Sequence, residues 1–191
     1  TVGRIMAEAS ALSNLAIEKL QNFLNSSDRN LRFLGLELFR EILEKPQFRD
    51  KIPIPDLHGK VLQSIEESDV TARKIALQLL DQIVSPATFI DAVKKLMEFS
   101  KNAHPNDEFI GTILRMGARD RYALVEDFAW YLLILADISR NVGSLHAAEV
   151  AAQFVDICAR VEGVRPYAVT LALSLLEVAP RAAVTGDAAA P

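Results

Sequence analysis

Ser27–Leu43, SDRNLRFLGLELFREIL, and Ser68–Val84, SDVTARKIALQLLDQIV, are two copies of one pattern set 41 residues apart. Ser27 falls on Ser68, Asp28 on Asp69, Arg32 on Arg73, Leu36 on Leu77, Leu38 on Leu79 and Ile42 on Ile83. Leu34 also meets Ile75, Gly35 meets Ala76, Phe39 meets Leu80 and Leu43 meets Val84. The agreement continues upstream through Lys19 and Lys60, Leu20 and Val61, and Leu24 and Ile65. Any two amphipathic helices can be slid until their leucines coincide. The shared Ser-Asp start, the small residue at 35 and 76, and the upstream match argue instead for a repeat. A period of about 40 residues made of two helical segments is the mark of HEAT and armadillo solenoids.

Within the first copy Leu31, Leu34, Leu38 and Ile42 form one stripe, and Leu36, Phe39 and Leu43 an adjoining one. At about 100° per residue the two together cover roughly half the helix circumference. A helix wedged between a repeat partner and its neighbours needs that much apolar surface. Asp28 is placed to cap the helix. The Asp28–Arg32 and Asp69–Arg73 pairs, four apart near helix starts, read as caps and i, i+4 ion pairs rather than as a site.

Upstream, Ser13–Asn25 predicts a helix with Leu15, Ile17, Leu20, Phe23 and Leu24 on a buried face. Val2–Ala11 reads as the end of another helix. The chain begins at Thr1 directly in helix-like sequence, which predicts a piece of a longer protein. Downstream, Pro46, Pro53 and Pro55 make Lys45–Pro55 an extended connection. Asp56–Glu66 then opens the second unit and Ser68–Val84 closes it. Ser85-Pro86 starts a helix reaching about Asn102, Ala103-His104-Pro105 breaks it, and Asn106–Ala118 is a shorter helix. Tyr122–Arg140 is the most apolar segment and holds the only tryptophan, Trp130. Gly143-Ser144 begins a helix to Val161, and Gly163–Pro166 separates it from a last one ending near Ala179. No segment alternates as a strand does. The reading is all-α: a HEAT/armadillo-like α-solenoid of about ten helices in antiparallel pairs over residues 1–180, with a disordered Ala/Pro tail at 181–191.

Half of the 191 residues are hydrophobic and 24% are charged, as in a globular chain. The net charge of −4, with mixed signs, argues against nucleic-acid binding, which rests on a concentrated basic surface. One cysteine, Cys158, has no internal disulfide partner, which suits a reducing compartment. The longest apolar run, Phe128–Ala136, is about half of the roughly 20 residues that a membrane span needs.

The chemistry is sparse. His58, His104 and His146 are scattered and have no metal-ligand spacing with cysteine or carboxylate. Cys158 lies on an apolar helix face, where a thiol is far more often a core residue than a nucleophile. Glycine-rich phosphate loops, GxSxG and HExxH are absent. The expectation is no enzyme activity, no cofactor and no metal. Lys94, Lys95, Arg115, Arg119 and Arg121 are the weak candidate for a binding site. They form either a basic strip facing an acidic partner or anionic lipid, or a solvated helix end partly balanced by Asp120.

Four segments together carry a resemblance. Asp28–Leu43 resembles the recurring trunk helix of the large adaptin subunits of heterotetrameric vesicle-coat adaptors. LQLLDQIVSP followed by IDAVKKLM, within Ala76–Met97, is similar to the adaptin pattern of a leucine-rich helix, a break and a helix ending VKKLM. FAWYLLILADI at Phe128–Ile138 and HAAEVAAQFVDICARV at His146–Val161 are most similar to the delta-type large chains of the third adaptor complex. The resemblance spans roughly residues 15–179. It departs at the proline-rich Lys45–Pro55 and at the short Ala103–Asp107 connection.

The resemblance implies a middle or later stretch of an α-solenoid trunk. It implies partners in a beta-type large chain, a medium chain and a small chain, and possibly a small GTPase. Membrane association would be peripheral and through the complex, on Golgi and endosomal membranes and coated vesicles, with cargo bound for lysosome-like organelles. It carries over no cargo-binding residue. Two other readings stay open at this point: another HEAT-type scaffold, such as a coatomer subunit or a nuclear transport receptor, and a regulatory helical domain of a larger enzyme.

Overall fold

The two copies begin as helices in the same way. Asp28 lies at φ −77°, ψ 119° and Asp69 at φ −78°, ψ 115°, both extended. Each folds its carboxylate onto the backbone that follows. Asp28 accepts from the Asn30 amide at 2.8 Å; Asp69 accepts from Thr71 at 2.8 Å and Ala72 at 3.1 Å. These bonds satisfy donors that a helix N-terminus leaves unpaired. The Ala72 and Thr71 amides hold the Asp69 carboxyl below its ordinary value. Its cap is therefore present above the usual carboxylate range and is lost as pH falls through the depressed value.

The structure is a computed structural model that describes residues 10–45, 54–66, 69–102, 107–141 and 144–178. The described residues form nine α-helices: α1 (Ser10–Leu24), α2 (Arg29–Leu43), α3 (Ile54–Ile65), α4 (Val70–Ile83), α5 (Pro86–Asn102), α6 (Asp107–Ala118), α7 (Phe128–Asn141), α8 (Ala147–Arg160) and α9 (Arg165–Val178). Short 3₁₀ turns lie at Arg119–Arg121, Ser144–His146 and Glu162–Val164. The fold is all-α and of the HEAT-like class that the 41-residue period implies. The expected Val2–Ala9 helical stretch, Pro46, Pro53, His104 and the 181–191 tail lie outside the described residues.

Two compact units divide the chain, Thr1–Leu124 and Val125–Pro191. In the first, α1 packs on α2, α3 on α4 and α5 on α6, while α2 also packs on α4 and α4 on α6. The second helix of each pair thus stacks on the next, which is how a helical repeat buries a shared core. Leu36, Phe39, Ile42, Leu79, Leu80, Phe89, Leu96 and Ile113 fill that core. Gly35 lets α1 approach α2. A Cβ there would lie 3.0 Å from Leu24 Cδ2 and 3.2 Å from Phe23 Cβ. In the second unit α7 packs on both α8 and α9. The Tyr131 hydroxyl, fully buried, donates to Gln153 Oε1 at 2.8 Å.

Several expectations need correction. Leu15 is 50% exposed. At about 100° per residue it lies roughly 140° from Leu20 and 180° from Leu24, so it never shared their face. Leu31 and Leu34 are exposed and Leu38 is half-buried, so the first of the two α2 stripes is largely uncovered. Pro55 does not belong to the connection but to the first turn of α3, where a missing amide costs nothing. The Tyr122–Arg140 segment becomes helical only at Phe128, after Asp127 accepts from the Trp130 amide at 2.9 Å.

Candidate functional site

The basic strip comes from three places. Lys94 and Lys95 lie on α5, Arg115 on α6, and Arg119 and Arg121 in the 3₁₀ turn that follows it. Packing of α6 on α4 brings two of the five together on one carboxylate. Arg115 Nε lies 2.7 Å from Asp81 Oδ2, and Arg119 Nη1 lies 3.7 Å from Asp81 Oδ1. Arg119 also donates to the carbonyls of Asp81 and, at 3.0 Å, Val84. Those oxygens belong to the last turn of α4, where carbonyls lack helical partners and a cation suits the helix dipole. Arg119 is thus a cap that one repeat supplies to the helix of the previous one. Lys95 meets Glu98 at 3.4 Å, and Lys94 and Arg121 are exposed.

Directly after Arg119 the backbone turns left-handed. Asp120, Arg121 and Tyr122 have φ of 48°, 60° and 68°, values unfavourable for residues with a Cβ. Tyr122 is buried, so the turn is held at one end by Arg119 and at the other by an aromatic anchor. Arg119→Ala is expected to cost about 1–3 kcal/mol, because it strips a charged donor from the carbonyls ending α4. Arg121→Ala, at an exposed neighbour, should change thermal melting by less than about 0.5 kcal/mol. Equal effects at the two positions would show that Arg119 does not cap α4.

Among the described residues no group of three or more His, Cys, Asp or Glu side chains is placed to hold a metal ion. His58 is buried on α3, with Nε2 3.6 Å from Asp91 Oδ2 on α5 and no hydrogen bond to either ring nitrogen among the described residues. His146 Nδ1 lies 3.5 Å from Glu149 Oε2, one helical turn away. Cys158 is half-buried and free, and burial pushes its thiol above the ordinary value, against the nearby Arg165. That favours the protonated, unreactive form. Arg165 donates to the carbonyls of Cys158 at 2.9 Å and Ala159 at 3.1 Å, a second arginine closing a helix end.

Two concavities are present that the sequence reading did not anticipate. In the first unit a polar cleft of about 480 Å³ is edged by Asn25, Arg32, Lys60 and Glu66. In the second an apolar groove of about 390 Å³ runs between α7, α8 and α9, with Leu135, Val150, Phe154 and Leu176 in its walls. The signal for the groove was present. Ala147, Val150, Ala151 and Phe154 sit on one face of α8, and α9 has apolar residues on all sides. No helix among the described residues is long and apolar enough to cross a membrane.

The comparisons with known proteins agree with this architecture. Residues 1–186 match the adaptin N-terminal region. The chain is 33% identical over 177 residues to the bovine AP-3 complex subunit delta-1, covering 91% of this chain and 14% of that protein. It is 30% identical over 175 residues to the AP-3 complex subunit delta of Dictyostelium discoideum, covering 90% of this chain and 15% of that protein. A plant AP-2 complex subunit alpha-1, from Arabidopsis thaliana, is 22% identical over 158 residues, 83% of this chain and 15% of that protein. The chain therefore spans only about a seventh of the length of these relatives. With a helical-repeat fold and a match over nearly its whole length, the chain belongs to the adaptin family.

Proposed function

We propose that this segment is a non-enzymatic scaffold within a heterotetrameric vesicle-coat adaptor complex. It acts in intracellular protein transport, sorting cargo from Golgi and endosomes towards lysosome-like organelles. Its partners in this reading are the beta-type large chain, the medium chain and the small chain. A small GTPase recruits the complex, and attachment to the membrane is peripheral. The observation that carries the reading is the match of nearly the entire chain to AP-3 delta subunits, joined to a fold of stacked helix pairs. Stacked pairs give a stiff surface on which partners dock through many modest contacts, so contact area rather than one reactive group does the work. Within the basic strip, Lys94 and Arg121 are the members offered to a partner, since Arg115 and Arg119 are held on Asp81.

Affinity purification of the full-length protein tests the reading. A beta-type adaptin together with medium and small chains should be recovered in comparable amounts. Recovery of coatomer chains, of nuclear transport cargo or of an enzyme's catalytic subunit would replace it.

A further inference from the structure

The left-handed turn after α6 holds an arginine that the rest of the fold does not use. Asp120, Arg121 and Tyr122 take φ of 48°, 60° and 68° in succession. Glycine adopts that region without penalty, whereas a residue with a Cβ enters it at a cost. Two of the three side chains account for themselves. Tyr122 is buried in the first unit, and aspartate is among the residues best tolerated there. Arg121 is neither buried nor a favoured left-handed residue. It also stands apart from the other arginines. Arg40, Arg140, Arg160 and Arg165 pair with carboxylates three or four residues away, and Arg115 and Arg119 pair with Asp81. Arg121 has no hydrogen bond or ion pair with any of the described residues. The backbone is fixed on both sides of it. The Arg119 carbonyl accepts from the Tyr122 amide and, at 3.2 Å, from Ala123, while the Arg119 guanidinium donates to the Val84 carbonyl at 3.0 Å.

We infer, on the footing of the scaffold role proposed above, that this turn displays Arg121 to bind a carboxylate on another protein chain of the complex. Strained backbone persists where its surroundings over-determine it, and it concentrates at sites of recognition. A glycine at position 121 would ease the turn. An arginine there keeps a planar fork that matches a carboxylate in two parallel hydrogen bonds. Because the backbone is already fixed, less order remains to be imposed on binding. The neighbouring residue decides the class of partner. Asp120, exposed beside Arg121, repels an anionic lipid surface, and one arginine in a chain of net charge −4 adds little attraction to it. A protein surface can set a cation opposite Asp120 and a carboxylate opposite Arg121, so that both charges are matched.

Full-length protein carrying Arg121→Gly or Arg121→Glu is compared with the parent for thermal melting and for association with purified beta-type, medium and small chains. Arg121→Gly should melt at or above the parent's temperature, since the left-handed turn loses its penalty, and yet associate at least about tenfold more weakly. Arg121→Glu sets like charge against the carboxylate and should weaken association further, with a loss that shrinks at high salt. Unchanged association of Arg121→Gly, with the parent assembling, overturns the inference alone. Failure of the parent to assemble overturns the scaffold reading and the inference with it. A marked fall in the melting temperature of Arg121→Gly also overturns it, making the arginine a residue of the fold. Vesicles of phosphatidylcholine and phosphatidylserine form the second arm. Variants that lose vesicle binding but keep the other chains overturn it in favour of a membrane.

Discussion

Leu79→Ala is expected to lower the free energy of unfolding by about 2–5 kcal/mol, as truncation of a fully buried leucine does. Leu79 has no exposed surface and lies between the α2 side and the shared core of the first unit. No neighbour can follow the lost side chain without leaving its own contacts, so a cavity remains. Leu38→Ala, at the equivalent position of the first copy, is expected to cost only about 1 kcal/mol in this chain, since half-exposed side chains lose less transfer free energy. Guanidinium denaturation of the two variants beside the parent gives the comparison. Equal losses would mean that Leu38 is as well covered as Leu79, and that the row it belongs to is not an open surface.

Tyr131 carries the second large effect, in the other unit. Its ring is fully buried in α7 and its hydroxyl bonds to Gln153 of α8, itself 5% exposed. Tyr131→Ala is expected to cost about 3–5 kcal/mol, the range for deleting a buried aromatic ring. Tyr131→Phe keeps the ring and removes one oxygen, and is expected to cost about 1–3 kcal/mol through the hydrogen bond lost at Gln153. Amide hydrogen exchange over α7, α8 and α9 is the measurement. A Tyr131→Phe protein with unchanged protection would show that the bond contributes nothing net.

The fold was legible mainly because one physical signal is repeated. Asp28 and Asp69, the leucines at matched register and the Gly35/Ala76 pair state the helix pair twice, and the structure pairs and stacks those helices accordingly. Where the reading erred, it treated apolar character as burial. Leu15 is apolar but lies across the helix from Leu20 and Leu24, and counting angles would have exposed it. Leu31 and Leu34 are a different case. Their spacing is right, and what decides their exposure is which neighbour is present, something no helix's own residues encode.

The surroundings of the basic strip were less legible for a related reason. Arg115 and Arg119 read as part of a basic strip or of a solvated helix end partly balanced by Asp120, because their acceptor, Asp81, is more than thirty residues away and on another helix. Charge clusters in sequence say nothing about counter-charges brought in by tertiary packing. The left-handed run at Asp120–Tyr122 had no signal at all, since none of the three is glycine and only Asp is much tolerated there. The family, by contrast, was legible in ordered segments, VKKLM and FAWY among them.

Gly35 sets a limit on interchange between the two copies. Its counterpart Ala76 carries a methyl group, and Gly35 has no room for one without moving Leu24 or Phe23. The helix pairs α1–α2 and α3–α4 share a pattern, but only the second carries a methyl group at this position. A chimera with α4's sequence grafted into α2 would push α1 outward by a few tenths of an ångström or strain its leucine, and that displacement would pass to whatever rests on α1. The reverse graft would leave a methyl-sized gap beside α3. The copies are therefore relatives that have each settled against their own neighbours, and evolution at either position is tied to the residues across the pair rather than to its twin 41 residues away.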